Sequence, residues 1–434
     1  MKKKYAKYIF CLLGIVSLCL IIFRFLNPTS LNKPSIYYFS IPLIMFFLVI
    51  KWDKLSTNIH SLITNTFTYL VIFLYSVEFF FQLNPVSFEK RKNKYFEENN
   101  LESRTIEEIY YEEIKNDNEK TLYFPPQYHL KYNNHLSENK IFPLSGISKK
   151  DTIMCNESGF YNSYISDRYG FNNDDKIYDK EKISFILIGD SFAHGACVNK
   201  NQDLIFNLKN KPFFKGKEIY NLSYSGNGLL LSYAALKEYF PKNKSADYII
   251  WVYYEKNDLI EFKKEYSNSL LKNYIENNNF SQKLILKQSE INSLLQKKFK
   301  QNFEINKKNK VKNIISFLSL DSIRKKVFKL FKKKYVLNQE LISNFSQIVS
   351  LIKKFSIDNE SEIIFVYLPG REDQNEGSYY YKNIINILRK NNIRTIDLKK
   401  DSFYKESKNY PKYGAHFNSK GYEELASKIS DYFK

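Results

Sequence analysis

Ser191 is the residue of this chain whose position best permits covalent chemistry. It follows Gly189 and Asp190 directly after the apolar run Ile183–Ile188, which predicts a strand buried on both faces of a parallel sheet. The carboxyl end of such a strand is where open α/β sheets display their reactive groups, so Ser191 is a candidate nucleophile. Gly-Asp-Ser is also a common tripeptide, and an ordinary strand-to-helix loop is the alternative interpretation.

Three further polar segments lie near the ends of predicted elements later in the chain. Gly226 and Gly228 follow a short apolar segment and would let a backbone N–H point into a cavity, although they could serve only a turn. Asn257 follows a long apolar run, where it could also cap a helix that begins at the next residue. His416 precedes the final amphipathic segment. The four segments together carry more information than any one of them.

These four blocks, in this order, resemble those of the SGNH (GDSL-type) hydrolases, which hold Ser, Gly, Asn and His respectively. The resemblance covers residues 150–434 and leaves the first part of the chain outside it. The phrases CNESG, SDRYGFNN, GDSFAHGACV and FVYLP are similar to a membrane-anchored branch of that family found among bacterial envelope proteins. The resemblance implies a three-layer α/β/α sandwich with a parallel central sheet.

The resemblance also implies a role for each residue. Ser191 would attack a carbonyl carbon, and His416 would take the serine proton and return it to the leaving alcohol. The backbone N–H groups of Ser191 and Gly226 and the side-chain amide of Asn257 would stabilise the oxyanion. We expect Asp190 to hold the serine loop by hydrogen bonds, and His194 to be a polar loop residue rather than a second base. The sequence has no metal-ligand spacing and no phosphate-binding glycine loop, so we expect no cofactor.

One position departs from the family pattern. The family usually has an Asp two or three residues before the catalytic His, and this chain has Tyr413 and Gly414 there. The nearest acids upstream are Asp397, Asp401 and Glu406, and no spacing shows that any of them reaches the imidazole. The working hypothesis is therefore a Ser-His dyad oriented by a backbone carbonyl, and weak catalysis or none is the alternative.

The elements that would position these residues alternate along the chain. The predicted strands are Ile183–Ile188, Glu218–Leu222, Ala246–Tyr254, Glu362–Leu368 and Ile393–Leu398, and the predicted helices are Leu229–Tyr239, Tyr380–Lys390 and Ser419–Phe433. Such alternation implies an α/β fold whose parallel sheet has helices on both faces. We divide the chain into a membrane anchor at 1–83, a stalk and lead-in at 84–150, and a hydrolase-like domain at 151–434. Residues 131–180 predict irregular structure, and a mostly helical insertion occupies about 259–357.

The anchor contains three apolar runs, which are Tyr5–Leu26, Ile36–Ile50 and Leu62–Leu83. We interpret them as three transmembrane helices. The first run is too long for a cleaved signal peptide and no small-residue cleavage site follows it. Lysines at positions 2, 3, 4 and 7 favour a cytoplasmic amino terminus, which places the catalytic domain outside a bacterial cytoplasmic membrane. Four basic residues between 90 and 94 argue for the opposite orientation.

The net charge of +20 invites a nucleic-acid interpretation, but its distribution argues against one. Lys297–Lys334 carries 14 basic and 2 acidic residues, and the rest of the chain beyond the anchor is nearly balanced. One basic segment on a membrane-anchored chain fits an anionic lipid surface or an acidic glycan better than DNA. Leu320, Ile323, Val327 and Phe331 fall at helical spacing within it. They predict either a basic helix on a membrane surface or a helix packed on the domain with a solvated basic face.

The four cysteines form two groups. Cys11 and Cys19 lie in the first apolar run and are interpreted as small apolar residues. Cys155 and Cys197 could form a disulfide if their part of the chain is outside the cytoplasm, and two buried free thiols are the alternative. Both lie in phrases that carry the family resemblance, which favours the disulfide.

The sequence therefore predicts a membrane-anchored serine hydrolase, an esterase that forms an acyl-enzyme. Its expected substrate is an acyl ester or an acylated glycan of the envelope or cell surface. If the acceptor is a sugar hydroxyl instead of water, the same chemistry makes it an O-acyltransferase of surface polysaccharide. A non-catalytic envelope or glycan-binding protein with the same fold is the alternative from another class, and the missing Asp motivates it.

Overall fold

A computed structural model of the chain describes residues 56–83, 88–132, 141–241, 245–306, 316–330, 337–372 and 377–434, with five isolated positions before residue 19. The chain divides into two compact units. The first comprises residues 1–87 and 305–333, and the second comprises residues 88–304 and 334–434.

The described residues form helices and strands that we number in chain order. The helices are α1 (Thr57–Leu83), α2 (Phe88–Glu98), α3 (Ile106–Ile109), α4 (Gln127–Tyr132), α5 (Ser191–His194), α6 (Leu204–Lys209), α7 (Leu229–Tyr239), α8 (Asp258–Tyr266), α9 (Ser269–Glu276), α10 (Gln288–Asn306), α11 (Asp321–Leu330), α12 (Gln339–Asp358), α13 (Tyr381–Lys390) and α14 (Ser419–Asp431). The strands are β1 (Lys120–Leu122), β2 (Asp151–Ile153), β3 (Ser163–Ile165), β4 (Ile183–Gly189), β5 (Ile219–Asn221), β6 (Ala246–Tyr254), β7 (Glu362–Leu368) and β8 (Arg394–Asp397).

The second unit is an α/β structure built on a five-stranded parallel sheet. The strand order is β5-β4-β6-β7-β8, and every neighbouring pair is parallel. The order reverses between β4 and β6, because the chain adds β5 on one side of β4 and then continues on the other side. Open parallel sheets bind their ligands at the carboxyl ends of the strands beside such a reversal.

Both faces of this sheet are buried, which explains the nearly continuous apolar runs of its strands. Phe185 and Leu187 of β4 belong to one hydrophobic cluster, together with residues of α6 and α14. Ile186 and Ile188 belong to a second cluster on the opposite face, which includes residues of α7, α12 and α13. Helices therefore cover both faces, an arrangement compatible with an α/β sandwich.

The predicted elements of this unit are confirmed. All five predicted strands exist, and β6 and β7 have the predicted bounds. β4 is one residue longer than predicted, and β5 and β8 are one residue shorter at each end. The predicted helix Leu229–Tyr239 is α7, and the other two predicted helices are α13 and α14.

Residues 88–132 and 141–165 differ from the predicted stalk and irregular lead-in, because they fold into the second unit. Phe96 of α2 and Ile109 of α3 are each 2 % exposed, and β1, β2 and β3 form a small mixed sheet. The sequence does not reveal this sheet, because three-residue strands are too short to show a two-residue period.

The first unit contains α1 and α11, and one helix of the described chain, Asn58–Leu83, is long and apolar enough to cross a membrane. The second predicted span and all but five residues of the first lie outside the described residues. The predicted basic helix corresponds to α11, which packs against α1. The Glu78 carboxylate accepts the backbone N–H groups of Ser322 and Ile323, each at 3.0 Å, and the Tyr75 hydroxyl donates to the Leu318 carbonyl at 2.9 Å.

Candidate active site

Ser191 begins α5 at the sharp turn that follows β4. Gly189 has φ +146°, a value that side chains disfavour, and a Cβ there would collide with the Val252 carbonyl of the neighbouring strand. Asp190 caps the short helix, because its carboxylate accepts the Phe192 N–H at 3.1 Å. Ser191 is 7 % exposed and lies at the carboxyl end of β4, an interior strand of the parallel sheet, as the sequence predicts.

The Asp190 carboxylate connects the first and third blocks of the site. One oxygen, Oδ2, accepts both the Ser191 hydroxyl at 3.0 Å and the Asn257 side-chain amide at 3.2 Å. Asp190 is fully buried, and burial raises the pKa of its carboxyl. An amide nitrogen carries two hydrogens, so Asn257 can hold Asp190 with one and offer the second to an oxyanion beside Ser191.

The second block lies next to Ser191, because β5 and β4 are neighbours. The Tyr224 N–H donates to the Gly189 carbonyl at 3.3 Å, which brings the following turn alongside the serine loop. Gly226 occupies this turn with φ +87°, a left-handed conformation that favours glycine. The blocks that carry Ser191, Gly226 and Asn257 thus meet at one edge of the sheet.

His194 has a role that the sequence does not suggest. Its side chain is fully buried, and its ring stacks on Tyr224 with centroids 5.1 Å apart. Nδ1 accepts the backbone N–H of Ser225 at 3.3 Å and lies 2.9 Å from the Ser225 hydroxyl. Burial lowers the pKa of His194 to about 3. It is therefore a neutral residue of α5 that positions the Gly226 turn, and not the polar loop residue that we expected.

His416 is oriented by an acid that the sequence analysis did not find. Glu157 Oε1 lies 2.9 Å from His416 Nδ1. The other carboxylate oxygen accepts the backbone N–H groups of Ala415 and His416, each at 3.0 Å. Glu157 is thus hydrogen-bonded to both the imidazole and the backbone of the histidine loop, which is the function of the acid in a Ser-His-acid triad.

The neighbours of His416 determine its tautomer. Nδ1 faces the Glu157 carboxylate and also lies 3.4 Å from Cys197 Sγ, and a carboxylate and a disulfide sulfur can only accept a hydrogen bond. The proton of the neutral imidazole therefore lies on Nδ1, which leaves the Nε2 lone pair available as a base. Burial lowers the pKa of His416, but the charge and hydrogen bond of Glu157, with a smaller contribution from Asp190, outweigh burial and raise the pKa above its usual value.

The acids nearest to His416 in the sequence interact with other residues and not with the imidazole. The expected orientation of His416 by a backbone carbonyl is also corrected, because a carboxylate occupies that place. Asp397 accepts the Tyr381 hydroxyl at 2.6 Å, Asp401 pairs with Lys428 at 2.6 Å, and Glu406 pairs with Lys408. The orienting group is a carboxylate and not a backbone carbonyl. Glu157 lies outside the motif pattern of the family that the chain resembles, because it precedes Ser191 in the chain, in the phrase CNESG.

Gly414 explains why the usual Asp position can be vacant here. A Cβ at this residue would lie 2.5 Å from Glu157 Oε2. The absence of a side chain therefore makes room for a carboxylate that arrives from another part of the chain. The one signal in the sequence that could have suggested this is a small residue where the family usually has its acid.

Cys155 and Cys197 are joined by a disulfide, with Cα atoms 5.3 Å apart. The bond links the loop of Glu157, two residues after Cys155, to the loop of Ser191, six residues before Cys197. Cys197 Sγ, Glu157 and His416 offer ligand atoms within 4.8 Å of one another. A metal site would need the sulfur as a thiolate, and the disulfide makes this set unsuited to one.

Ser191 and His416, the candidate nucleophile and base, are close but not hydrogen-bonded in this structure. The ring of Phe192, the residue after Ser191, lies 5.6 Å from the His416 ring between centroids. The Ser191 hydroxyl donates to Asp190, and no hydrogen bond joins it to His416 among the described residues. Catalytic hydrogen bonds are often long in unliganded enzymes and tighten when substrate binds. The His416 side chain is 25 % exposed, so a substrate can reach it.

No protein-family model matches this chain, and a search of curated proteins finds no similar sequence.

Proposed function

We propose that this protein is a membrane-anchored serine hydrolase that cleaves ester bonds through an acyl-enzyme, with the three-layer α/β/α fold of the SGNH hydrolases. Ser191 is the nucleophile, His416 the general base and acid, and Glu157 the residue that orients the imidazole. The oxyanion is stabilised by the backbone N–H groups of Ser191 and Gly226 and by the Asn257 amide. The substrate is an acylated glycan of the envelope or cell surface.

The observation that carries this proposal is the hydrogen bonding of Glu157 to the imidazole and backbone of His416. A partly buried carboxylate that accepts three hydrogen bonds from the histidine loop is poorly explained by packing alone, because removing a carboxylate from water is costly. It also removes the reason for a non-catalytic protein, which was the lack of an acid near His416.

The test is ester hydrolysis by the full chain in detergent, with an activated acyl ester as substrate. We expect Ser191→Ala to abolish turnover. Ser427→Ala is the matched control, because the Ser427 hydroxyl donates within α14 to the Glu423 carbonyl. An active-serine probe should label the wild type and Ser427→Ala but not Ser191→Ala. Unchanged turnover in Ser191→Ala would overturn the proposal.

The acceptor decides between hydrolysis and acyl transfer. Water as acceptor makes the protein an esterase or deacetylase, and a sugar hydroxyl makes it an O-acyltransferase of surface polysaccharide. Incubation of the acyl ester with and without a glycan acceptor separates these two, because only a transferase converts the glycan into its acylated form.

The anchor of this enzyme is the first unit, with the amino-terminal runs completing a multi-pass arrangement. Large apolar side chains of α1 are exposed, among them Phe73 at 63 % and Leu83 at 61 %, as expected of a helix surrounded by lipid. Against α1 lies α11, whose sequence DSIRKKVFKL has four basic residues and one acid, and Lys326 sits 3.4 Å above the Phe81 ring. This supports contact of α11 with anionic lipid headgroups.

The catalytic unit is outside the cytoplasm in this proposal, and the disulfide supports that side because disulfides persist in oxidising compartments. A reporter that is active only outside the cytoplasm, fused after Lys434, should be active. An inactive reporter with full expression would place the catalytic unit in the cytoplasm.

Contact of α11 with anionic headgroups predicts that the protein has a higher melting temperature in anionic than in neutral lipid nanodiscs. Lys326→Gln should reduce this difference.

A further inference from the structure

The segment that holds Glu157 is a loop without regular hydrogen bonding along its length. It runs from residue 154 to residue 162, between β2 and β3, and we call it the acid loop. Its two ends are joined where the Met154 N–H donates to the Asn162 carbonyl at 2.8 Å. The catalytic acid therefore depends on whatever fixes this loop against the rest of the site.

Several hydrogen bonds and one covalent bond fix the acid loop apart from His416 itself. Asn156 donates from its side chain to the Glu102 carbonyl at 2.6 Å, and the Glu102 N–H donates to the Gly159 carbonyl at 2.9 Å. The loop is also attached to the segment that follows Ser191. The Asn162 side chain lies 3.3 Å from that of Asn199, and the covalent attachment is the disulfide from Cys155 to Cys197.

The other end of the disulfide is in a conformation that needs external support. Cys197 has φ +61°, a left-handed value that is uncommon for a residue other than glycine. Such residues persist only when the surrounding structure over-determines them. Opening the disulfide would remove one of the constraints that keep Cys197, and with it the acid loop, in place.

Opening the disulfide would also give His416 a new partner. Cys197 Sγ is 3.4 Å from His416 Nδ1, and in the disulfide it can only accept weakly. As a free cysteine beside an imidazole the same sulfur can lose its proton. The resulting thiolate would compete with Glu157 for the Nδ1 proton.

We propose that the Cys155–Cys197 disulfide is a redox latch that holds Glu157 on His416, so that the enzyme is active when oxidised and impaired when reduced. The inference rests on the proposed esterase function. A dithiol reductant supplies two electrons and two protons, the S–S bond breaks, two S–H groups form, and the reductant becomes a disulfide. Reoxidation by oxidised glutathione restores the bond and the activity.

The first experiment measures ester hydrolysis by the full chain in detergent before and after dithiothreitol, with thiol counting and circular dichroism to show that the fold persists. We expect kcat/KM to fall by about 10²-fold, the usual cost of misplacing a catalytic group by about 1 Å. Cys155→Ser/Cys197→Ser should show the same loss without reductant. Cys11→Ser/Cys19→Ser, the matched control, should be fully active and still sensitive to dithiothreitol. Full activity of the reduced, folded protein would overturn the latch.

The second experiment separates a latch on Glu157 from a general structural role. Reduction of Glu157→Gln should cause almost no further loss, because the acid that the latch holds is already gone. Equal fractional losses on reduction of the wild type and of Glu157→Gln would show that the disulfide acts elsewhere.

A readout that does not need activity distinguishes failure of the latch from failure of the proposed function. The Glu157 carboxylate lies 2.9 Å from His416 Nδ1, and the charge of Asp190 also acts on this imidazole. The titration of His416 can be followed by NMR with labelled histidine, assigned with His416→Asn. In Cys155→Ser/Cys197→Ser, which opens the latch without placing a thiolate beside the imidazole, the pKa of His416 should fall below its wild-type value. An unchanged titration would refute the latch. An inactive wild type, with a pKa that still falls in the double variant, would refute the esterase function and support the latch.

Discussion

Exchange of Glu157 for Gln is the substitution that tests the triad most directly. In the native site one carboxylate oxygen accepts the N–H groups of Ala415 and His416, and the other accepts the Nδ1 proton. The Gln carbonyl can replace the first oxygen, but its NH₂ group then faces Nδ1 and can only donate. This forces the imidazole proton onto Nε2, where the base should have its lone pair.

The expected loss follows from this reversal. In Ser-His-acid triads an acid-to-amide exchange that reverses the tautomer lowers kcat by about 10⁴-fold. Glu157 is 17 % exposed, so water can replace part of its effect, and we expect a loss of about 10²- to 10⁴-fold, or about 3 to 5 kcal/mol of transition-state stabilisation. Glu119→Gln is the matched control, because the Glu119 side chain is 82 % exposed and pairs with Lys150.

The pH dependence of kcat/KM tests the role of Glu157 separately from the size of the activity loss in Glu157→Gln. Glu157 holds the pKa of His416 above its usual value of 6.5 against the effect of burial. Without the carboxylate, burial dominates and the pKa falls, so the acidic limb of kcat/KM should move to lower pH while the plateau falls. A plateau within about threefold of the wild type and an unmoved limb would refute the triad.

The same pair also contributes to stability. The raised pKa of His416 stabilises the fold fully below pH 6.5, and this contribution is lost as the pH rises through the folded-state pKa. The lowered pKa of Glu157, where the charge and hydrogen bonds of His416 outweigh burial, stabilises the fold above pH 4.5 and is lost as the pH falls through its folded-state value. The melting temperature of Glu157→Gln should therefore fall most between pH 4.5 and 6.5.

Three other substitutions have defined outcomes. Gly414→Ala should lower kcat/KM by about 10- to 100-fold, since its Cβ would displace the triad carboxylate 2.5 Å away, and normal kinetics would show that the carboxylate can shift without cost. His194→Phe leaves the N–H and hydroxyl of Ser225 unpaired and should cost about 1–3 kcal/mol in urea unfolding. It should leave the acidic limb of the pH profile in place, because a base at His194 would move it. Cys155→Ser/Cys197→Ser should lower the unfolding free energy by about 4 kcal/mol, the loop-entropy value for a sequence separation of 42, and an unchanged chemical-denaturation midpoint would contradict this.

The five-stranded sheet could be predicted because its strands are long apolar runs with turn residues between them. Once β4, β5 and β6 are neighbours, the parallel topology brings the residues that follow them to one edge. Ser191, Gly226 and Asn257 could therefore be placed together from the sequence. The local sequence pattern is sufficient to place these three residues, because each of them follows closely, along the chain, the strand that positions it.

Glu157 could not be found in the same way. It lies on an irregular loop between two three-residue strands, and neither the loop nor the strands have a period that fixes their place in the fold. Its contact with His416 depends on how the small sheet packs and on the disulfide, which are tertiary effects. His194 was misjudged for a related reason, because nothing in its neighbours along the chain shows that three aromatic rings from other segments surround it.

The separation of 259 residues between Glu157 and His416 has a consequence for how the protein acquires activity. An acid two residues before the histidine would be in place as soon as that loop formed, even in a partly folded chain. Here the two residues meet only when segments 259 residues apart in the chain come together, and closing so long a loop costs more chain entropy than forming a contact within one loop. Partly folded intermediates in which these segments have not met should therefore lack the pairing of Glu157 with His416, and any activity that depends on this pairing should appear late in folding.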